Sequence, residues 1–144
     1  APTRFRTPKT TQDTCVFGRG LTTRASGIPG AGRGLFADRA FQRNQYITFY
    51  DGAPIGRDAA LALRKQGRDT HVRATVLLTL YIDGYHSDTI FPGCGAASLV
   101  NDGRSATLNN CRLENRDGVT WLRANRDIRH GEELLCSYGA CYWQ

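Results

Sequence analysis

The chain contains no methionine and only two lysines, Lys9 and Lys65, and none of its cysteines falls in a CxxC pair. Nor does it contain a run of eighteen apolar residues, and its N-terminal stretch has no apolar core of the kind that opens a secretory leader. A soluble protein without membrane contact is therefore expected. The five cysteines, Cys15, Cys94, Cys111, Cys136 and Cys141, are odd in number and scattered. That spacing disfavours both a secreted disulfide framework and a zinc knuckle, and it points to a reducing compartment. A spatial cluster of Cys94, Cys111, Cys136 and Cys141 stays open in principle, but closed zinc sites usually carry short ligand spacings, so no metal is assigned. His71, His86 and His130 also lack ligand spacing and read as ordinary surface or core residues. The missing initiator leaves room for a longer parent protein.

The scarcity of lysine leaves arginine to carry the basic charge: 17 arginines beside the two lysines give a formal net charge of +6. Arginine suits bidentate phosphate contacts better than lysine does. The charge is compatible with a plain solvated surface or with a nucleic-acid face, and the absence of an aromatic-basic reader motif favours the first.

What is present is ordinary globular material, 40% hydrophobic and 22% charged over 144 residues, enough for one domain with its own core. Residues 1–14, with Pro2, Pro8 and three basic side chains, are expected to form a flexible basic arm, and residues 15–144 the folded domain. Cys15 to Ala25, broken by Gly18 and Gly20, reads as an edge hairpin. Gln45 to Tyr50 alternates as a half-buried strand, and Asp51-Gly52 reads as a hairpin turn into Ala53-Pro54-Ile55. Arg57 to Gln66 is the one helical stretch, stopped by Gly67. Thr75 to Asp83 reads as a buried strand, and Leu108 to Asn115 and Val119 to Asn125 as a hairpin around Arg116-Asp117-Gly118. Many short strands, one helix and glycine-rich connections predict a mainly β domain of small sheets.

Two stretches carry chemistry. In Gly30-Ala31-Gly32-Arg33-Gly34 the missing Cβ atoms let backbone approach a ligand, although such a run also serves as a mere turn, and it lacks the ending of a phosphate loop. In Gly131-Glu132-Glu133-Leu134-Leu135-Cys136-Ser137-Tyr138-Gly139 two carboxylates precede an aromatic hydroxyl. Adjacent strand residues face opposite ways, so Glu132 and Glu133 cannot act as a paired acid and base on one atom. One is expected to make a structural contact and the other to meet solvent or substrate.

The order GAGRGLFA, FYDG, a buried strand with IDG, SLVND with NNC, then GEELLCSYG resembles the SET-domain protein-lysine methyltransferases over residues 24–143. The resemblance implies a β-clip-like fold of small curved sheets with a C-terminal pseudoknot and one or two short helices. It implies S-adenosylmethionine as cofactor, contacted by Gly30, Ala31, Gly32, Arg33, Asn101, Asp102 and Trp143. Tyr138 matches the catalytic tyrosine, with Tyr50 shaping the lysine end, and Leu113, Cys136 and Tyr142 complete the substrate channel. The chemistry suits these residue types. A lysine near its usual pKa of about 10.4 is protonated at neutral pH; desolvation in an apolar channel favours the neutral amine, and tyrosine hydroxyls align it without a strong base.

The departures from the family pattern are informative too. The usual Asn-His-Ser-Cys-x-Pro-Asn segment stands here as Asn101-Asp102-Gly103-Arg104, with the next asparagines at Asn109 and Asn110, and a domain without zinc-binding flanks is expected. Tyr142 and Trp143 are left to close the channel, unless a partner or dimer mate does so. Cys136 replaces a bulkier aromatic, and Leu113 stands where some monomethylating relatives have Tyr, so a pocket able to add more than one methyl group is expected. The resemblance further implies a basic, lysine-bearing tail as substrate, a histone above all, and a nuclear location. Arg4, Arg6 and Lys9 against Asp13 account for +2 of the +6, so the domain itself carries +4. A basic tail then needs a locally acidic groove, with Asp83, Asp88, Glu114 and Asp117 as candidates, unless the basic face contacts nucleosomal DNA. The alternative function is a non-catalytic SET-like module that binds chromatin or a basic peptide.

Overall fold

The hairpin expected around Asp117-Gly118 anchors the middle of the structure. In a computed structural model, which describes residues 14–51, 53–56, 58, 61–62, 65, 72–74, 80–83 and 95–137, β8 (Cys111–Arg116) and β9 (Val119–Ala124) pair antiparallel in register from Cys111↔Ala124 to Arg116↔Val119. Asp117 and Gly118 have φ of 52° and 79°, the two left-handed residues of a turn whose twist matches that of the strands it joins. β4 (Tyr46–Phe49) adds to the other edge of β9, giving the order β4-β9-β8.

The described strands form two further three-stranded sheets. β1 (Val16–Phe17), β2 (Gly20–Ala25) and β3 (Arg33–Ala37) form the first, with β2 and β3 antiparallel. The expected hairpin is present only as a tight turn, in which Val16 and Arg19 exchange backbone hydrogen bonds at 3.2 and 2.9 Å as an antiparallel bridge, with Gly18 and Gly20 at φ 86° and 85°; the strands themselves, β1 and β2, are registered parallel. β5 (Ala53–Gly56), β6 (Val72–Ala74) and β7 (Leu80–Asp83) form the third, in the order β5-β7-β6. The buried strand expected over 75–83 is thus β7 at its C-terminal part, while 75–79 lie outside the described residues. Asp58, Leu61, Ala62 and Lys65 have helical backbone, as expected for 57–66.

The Asp51-Gly52 hairpin is not formed, because β4 and β5 belong to different sheets. Asp51 is buried, and its carboxylate accepts the Gly95 N–H at 3.3 Å. The Tyr50 N–H likewise donates to the Thr120 carbonyl at 2.8 Å. A buried acid needs such partners, so the chain passes inward here instead of turning at the surface.

The main core draws Leu21, Leu35 and Ala37 from the first sheet, Ile47, Leu122 and Ala124 from the second, and Leu134 and Cys136 from the closing segment. Each fully buried leucine or isoleucine is worth about 1.5–3 kcal/mol against exposure. Residues 132–136 belong to no sheet, yet most of their backbone groups find partners. The Leu134 N–H donates to Leu35 O at 2.8 Å, the Cys136 N–H to Asn101 O at 3.0 Å, and Leu135 O accepts from both Asn110 and Cys111 at 3.0 Å. Two further groups meet the Asn110 side chain, whose Nδ2 donates to Glu133 O at 2.9 Å and whose Oδ1 accepts the Leu135 N–H at 2.9 Å. Three separate stretches, around residues 35–37, 101 and 110–111, therefore converge on one segment.

On the outer face of the middle sheet, Glu114 accepts the Tyr46 hydroxyl at 2.5 Å and lies 3.3 Å from Arg123 and 3.5 Å from Arg112. The Tyr46 hydrogen bond, helped by these guanidinium groups and opposed by partial burial, holds the Glu114 carboxyl below the ordinary carboxylate range.

Two outcomes follow. Asn110→Ala leaves two buried backbone groups of the closing segment unpaired and should cost about 2–4 kcal/mol, read as a lowered urea midpoint. Because the Glu114 pKa is lowered on folding, its contribution is present above the ordinary Glu range and disappears as pH falls through the folded value. The stability gap between wild type and Glu114→Gln should therefore narrow on acidification in parallel urea titrations, whereas a gap constant with pH would contradict the assignment.

Candidate active site

A cleft of about 330 Å³ opens between the loop 28–31 and the turn 101–104, at the small end of the range for ligand pockets. One wall is the glycine loop. The Ala31 N–H turns back to Ile28 O at 3.1 Å, and the Ser26 N–H closes the loop on Gly32 O at 2.7 Å. Gly30 and Gly32 have φ of 77° and 71°, a left-handed region that side chains avoid, and nothing lies within 4 Å of where their Cβ atoms would stand. The loop thus offers bare backbone to open space.

The closing segment holds this loop in place. Glu133 Oε2 accepts the Ser26 hydroxyl at 2.6 Å and Oε1 accepts the Gly27 N–H at 2.8 Å, across 107 and 106 residues of chain. Ser26 Oγ in turn accepts the Ile28 N–H at 3.0 Å. The other wall is held by the same segment, since Cys136 donates its N–H to Asn101 O. Asn101 Nδ2 spans the gap between the walls and donates to Arg33 O at 3.0 Å. Gly34 makes the approach possible: a Cβ there would strike the Glu133 carboxylate and come to 3.1 Å from Asn101 Nδ2. Glu132 does something simpler and accepts the Arg129 N–H at 3.0 Å within its own turn. The acid expected to be structural is Glu133, and the pair performs no joint acid-base work.

Of the cofactor residues expected from the sequence, Gly30, Ala31, Asn101 and Asp102 line this cleft together. Gly32 closes the loop behind it. Arg33 is turned away along β2, with its guanidinium donating to Thr23 O and Oγ1 at 3.0 and 3.1 Å, so only its carbonyl serves the site. The cation at the cleft is instead Arg104, which was not singled out from the sequence. Asp102 Oδ1 accepts the Arg104 N–H at 2.7 Å, and the Gly103 N–H goes to Asn109 Oδ1 at 2.8 Å. These bonds organise a turn with Arg104 at φ 54°. The Asn-Asp-Gly-Arg run, typical of a turn, was the only available hint of it.

The expected channel residues gather elsewhere in the same core. Tyr50 and Cys136 are buried in one apolar cluster, and Leu113 packs against it. Burial, and secondarily the neighbouring Cys136, pushes the Cys111 thiol far up, so Cys111 stays neutral and acts as apolar filling. Ser98, buried on the 3-10 turn Ala97–Leu99 that leads to Asn101, has a hydroxyl without a hydrogen-bond partner among the described residues. An orphan of that kind calls for a reason, and sequence pattern gave no sign of it. Tyr138, Tyr142 and Trp143 lie outside the described residues, as do Cys94 and Cys141. Among the described residues no group of three or more His, Cys, Asp or Glu side chains could hold a metal ion.

The SET domain family matches residues 32–139. N-lysine methyltransferase KMT5A-A of Xenopus laevis is 32% identical over 116 residues, covering 78% of this chain and 34% of that protein. KMT5A of Xenopus tropicalis matches to the same extent. The chain thus spans about a third of the length of these curated relatives. Among solved structures, the autoinhibited ctPRC2 bound to S-adenosylmethionine superposes with a TM-score of 0.68 at 20% identity, covering 87% of this chain and 16% of that one. A humanized mutant of the Chaetomium thermophilum Polycomb Repressive Complex 2 bound to the inhibitor GSK126 gives 0.67 at 20% identity, covering 86% and 15%. At such identity the likeness is one of fold. With the family match over most of the chain and the glycine loop, Asn101 turn and closing segment assembled on one cleft, the chain belongs to the SET-domain family.

Proposed function

We propose that this domain is a protein-lysine N-methyltransferase that uses S-adenosylmethionine. The observation that carries the reading is the single carboxylate of Glu133, which sets a bare glycine loop against the Asn101-Asp102 turn so that a small cleft opens between them. The cofactor supplies an electrophilic methyl group on a sulfonium. Backbone groups of Gly30 and Ala31 and the polar side chains of Asn101, Asp102 and Arg104 are the groups available to hold it, and Gly32 gives the loop its shape.

The chain's own contribution to the chemistry is to position and desolvate the amine. The substrate ammonium must give up its proton to solvent before its nitrogen forms the new N–C bond, and entry into apolar surroundings lowers its pKa in that direction. Tyr50, Leu113 and Cys136 supply an apolar neighbourhood. Tyr138, two residues beyond Cys136, is the hydroxyl we assign to aligning the nitrogen with the methyl group, an effect that can be worth several kcal/mol. The substrate we assign is a basic, lysine-bearing tail of the histone type, and that substrate would place the protein in the nucleus.

Glu114 is not free to form a groove for such a tail, since it is taken by Tyr46, Arg112 and Arg123, whereas Asp117 is exposed on the β8–β9 turn with only a loose 3.8 Å approach to Arg116. Of the other candidates, Asp88 lies outside the described residues, and Asp83 is described only as part of β7.

Tyr138→Phe should retain cofactor binding in calorimetry while kcat on a lysine peptide falls by about 100-fold or more; a fully active variant would refute the assignment. Absence of any binding heat in the wild type would instead favour a non-catalytic module, a reading that the change from His to Asp102 motivates. Cys136 and Leu113 add no hydroxyl to fix a water beside the amine, so with excess cofactor mass spectrometry should find di- or trimethylated product. Strict monomethylation would contradict that expectation.

A further inference from the structure

A second, larger opening has no part in the site above. It is a cleft of about 1110 Å³ between the segments 39–45 and 127–130, and it shares no residue with the smaller one. Its floor is the bridge between Phe41 and Ile128, which exchange backbone hydrogen bonds at 2.9 and 2.8 Å. Both side chains are turned into the core, with 2% and 1% exposure, so the floor presents backbone and no apolar socket. The walls carry Arg39, Arg43 and Arg129 against a single carboxylate, Asp127. Its Oδ1 accepts the Arg43 N–H at 2.8 Å, and three guanidinium groups against this one carboxylate leave the walls net positive. Arg39 lies over the Phe41 ring at 5.3 Å, while the guanidinium groups of Arg43 and Arg129 meet no acidic partner among the described residues.

The wall is also rigid. Gln45 Oε1 accepts the Gln42 N–H at 3.1 Å, Arg123 Nε donates to Asn44 O at 2.7 Å, and Asn44 is held at φ 70°. Cations displayed on a pre-formed loop lose little freedom on binding.

We propose that this cleft seats the phosphate backbone of duplex DNA. A protein partner would look for buried apolar anchors, and the cleft offers none among its core-turned hydrophobics. A phosphate backbone needs unpaired guanidinium groups and polar donors such as Gln42 and Asn44, which positioning contacts use without reading sequence. The arrangement gives the arginine excess of the chain a location, and it does so independently of methyl transfer.

The test is fluorescence anisotropy of a labelled short DNA duplex with the full chain, titrated over a range of salt without cofactor. Each phosphate contact contributes about 0.9 to the slope of log K against log salt, so Arg43→Gln/Arg129→Gln should flatten the slope by about 2 and weaken binding about tenfold or more. Arg43→Lys/Arg129→Lys should recover most of the slope. The control Arg24→Gln/Arg116→Gln removes the same charge away from the cleft and should change the slope little. Equal losses in both glutamine pairs, or no binding of duplex by the wild type, would overturn the proposal. So would an oligoglutamate peptide binding through Arg43 and Arg129 where DNA does not. Turnover of a free lysine peptide should be the same in the Arg43/Arg129 variants as in wild type, so failure here is separable from failure of the methyltransferase reading.

Discussion

A carboxylate that reaches across more than a hundred residues holds this domain's site together. Glu133 takes a hydroxyl and a backbone N–H from the glycine loop, while the segment it belongs to takes the carbonyl of Asn101 through Cys136. Remove the acid and both the loop and its spacing from the Asn101 turn lose their reference. Such a bond is charge-assisted and partly screened by its surroundings, the kind that tends to be short and geometrically demanding. Gly34 completes the arrangement by leaving the space through which the carboxylate passes.

The closing segment also shows how a strand can be satisfied outside a sheet. Its N–H and C=O groups are divided among β3, the Asn101 turn, the start of β8 and the amide of Asn110. A side-chain amide carries one donor pair and one acceptor, so Asn110 imitates a neighbouring strand's peptide at the one place where no strand can fit. Leu134 and Cys136 on the same segment then fill the core, which ties polar pairing and apolar packing to the same few residues.

Much of this was readable before the structure. Asp117-Gly118 between two alternating runs was a sufficient sign of the middle hairpin, and the glycines before Leu35-Phe36 of a loop that must approach something closely. Strand alternation separated Glu132 from Glu133 in role, but not which of them would hold the glycine loop. What could not be read were long-range substitutions of one partner for another. Asp51-Gly52 has the composition of a turn, but burial of Asp51 against Gly95 overrides that local preference. Arg33 sits next to the glycine loop in sequence, but its guanidinium finds Thr23 across the β2–β3 pair, and Arg104, seventy-odd positions away, takes the place at the cleft. Local pattern encodes which way a residue can point, whereas the partner that captures it is a property of the assembled chain.

The way residues 132–136 are paired has a consequence for how the domain comes to exist. The bonds described for them close loops of 23 residues or more back to earlier chain, except within their own turn, and loop-closure entropy must be met before any of those contacts returns energy. The cleft therefore cannot be present in any partly ordered state that lacks this segment, however well the sheets have formed. During synthesis the earlier part of the domain would wait with Leu35 unsealed, and binding competence would arrive in one late step when the segment docks.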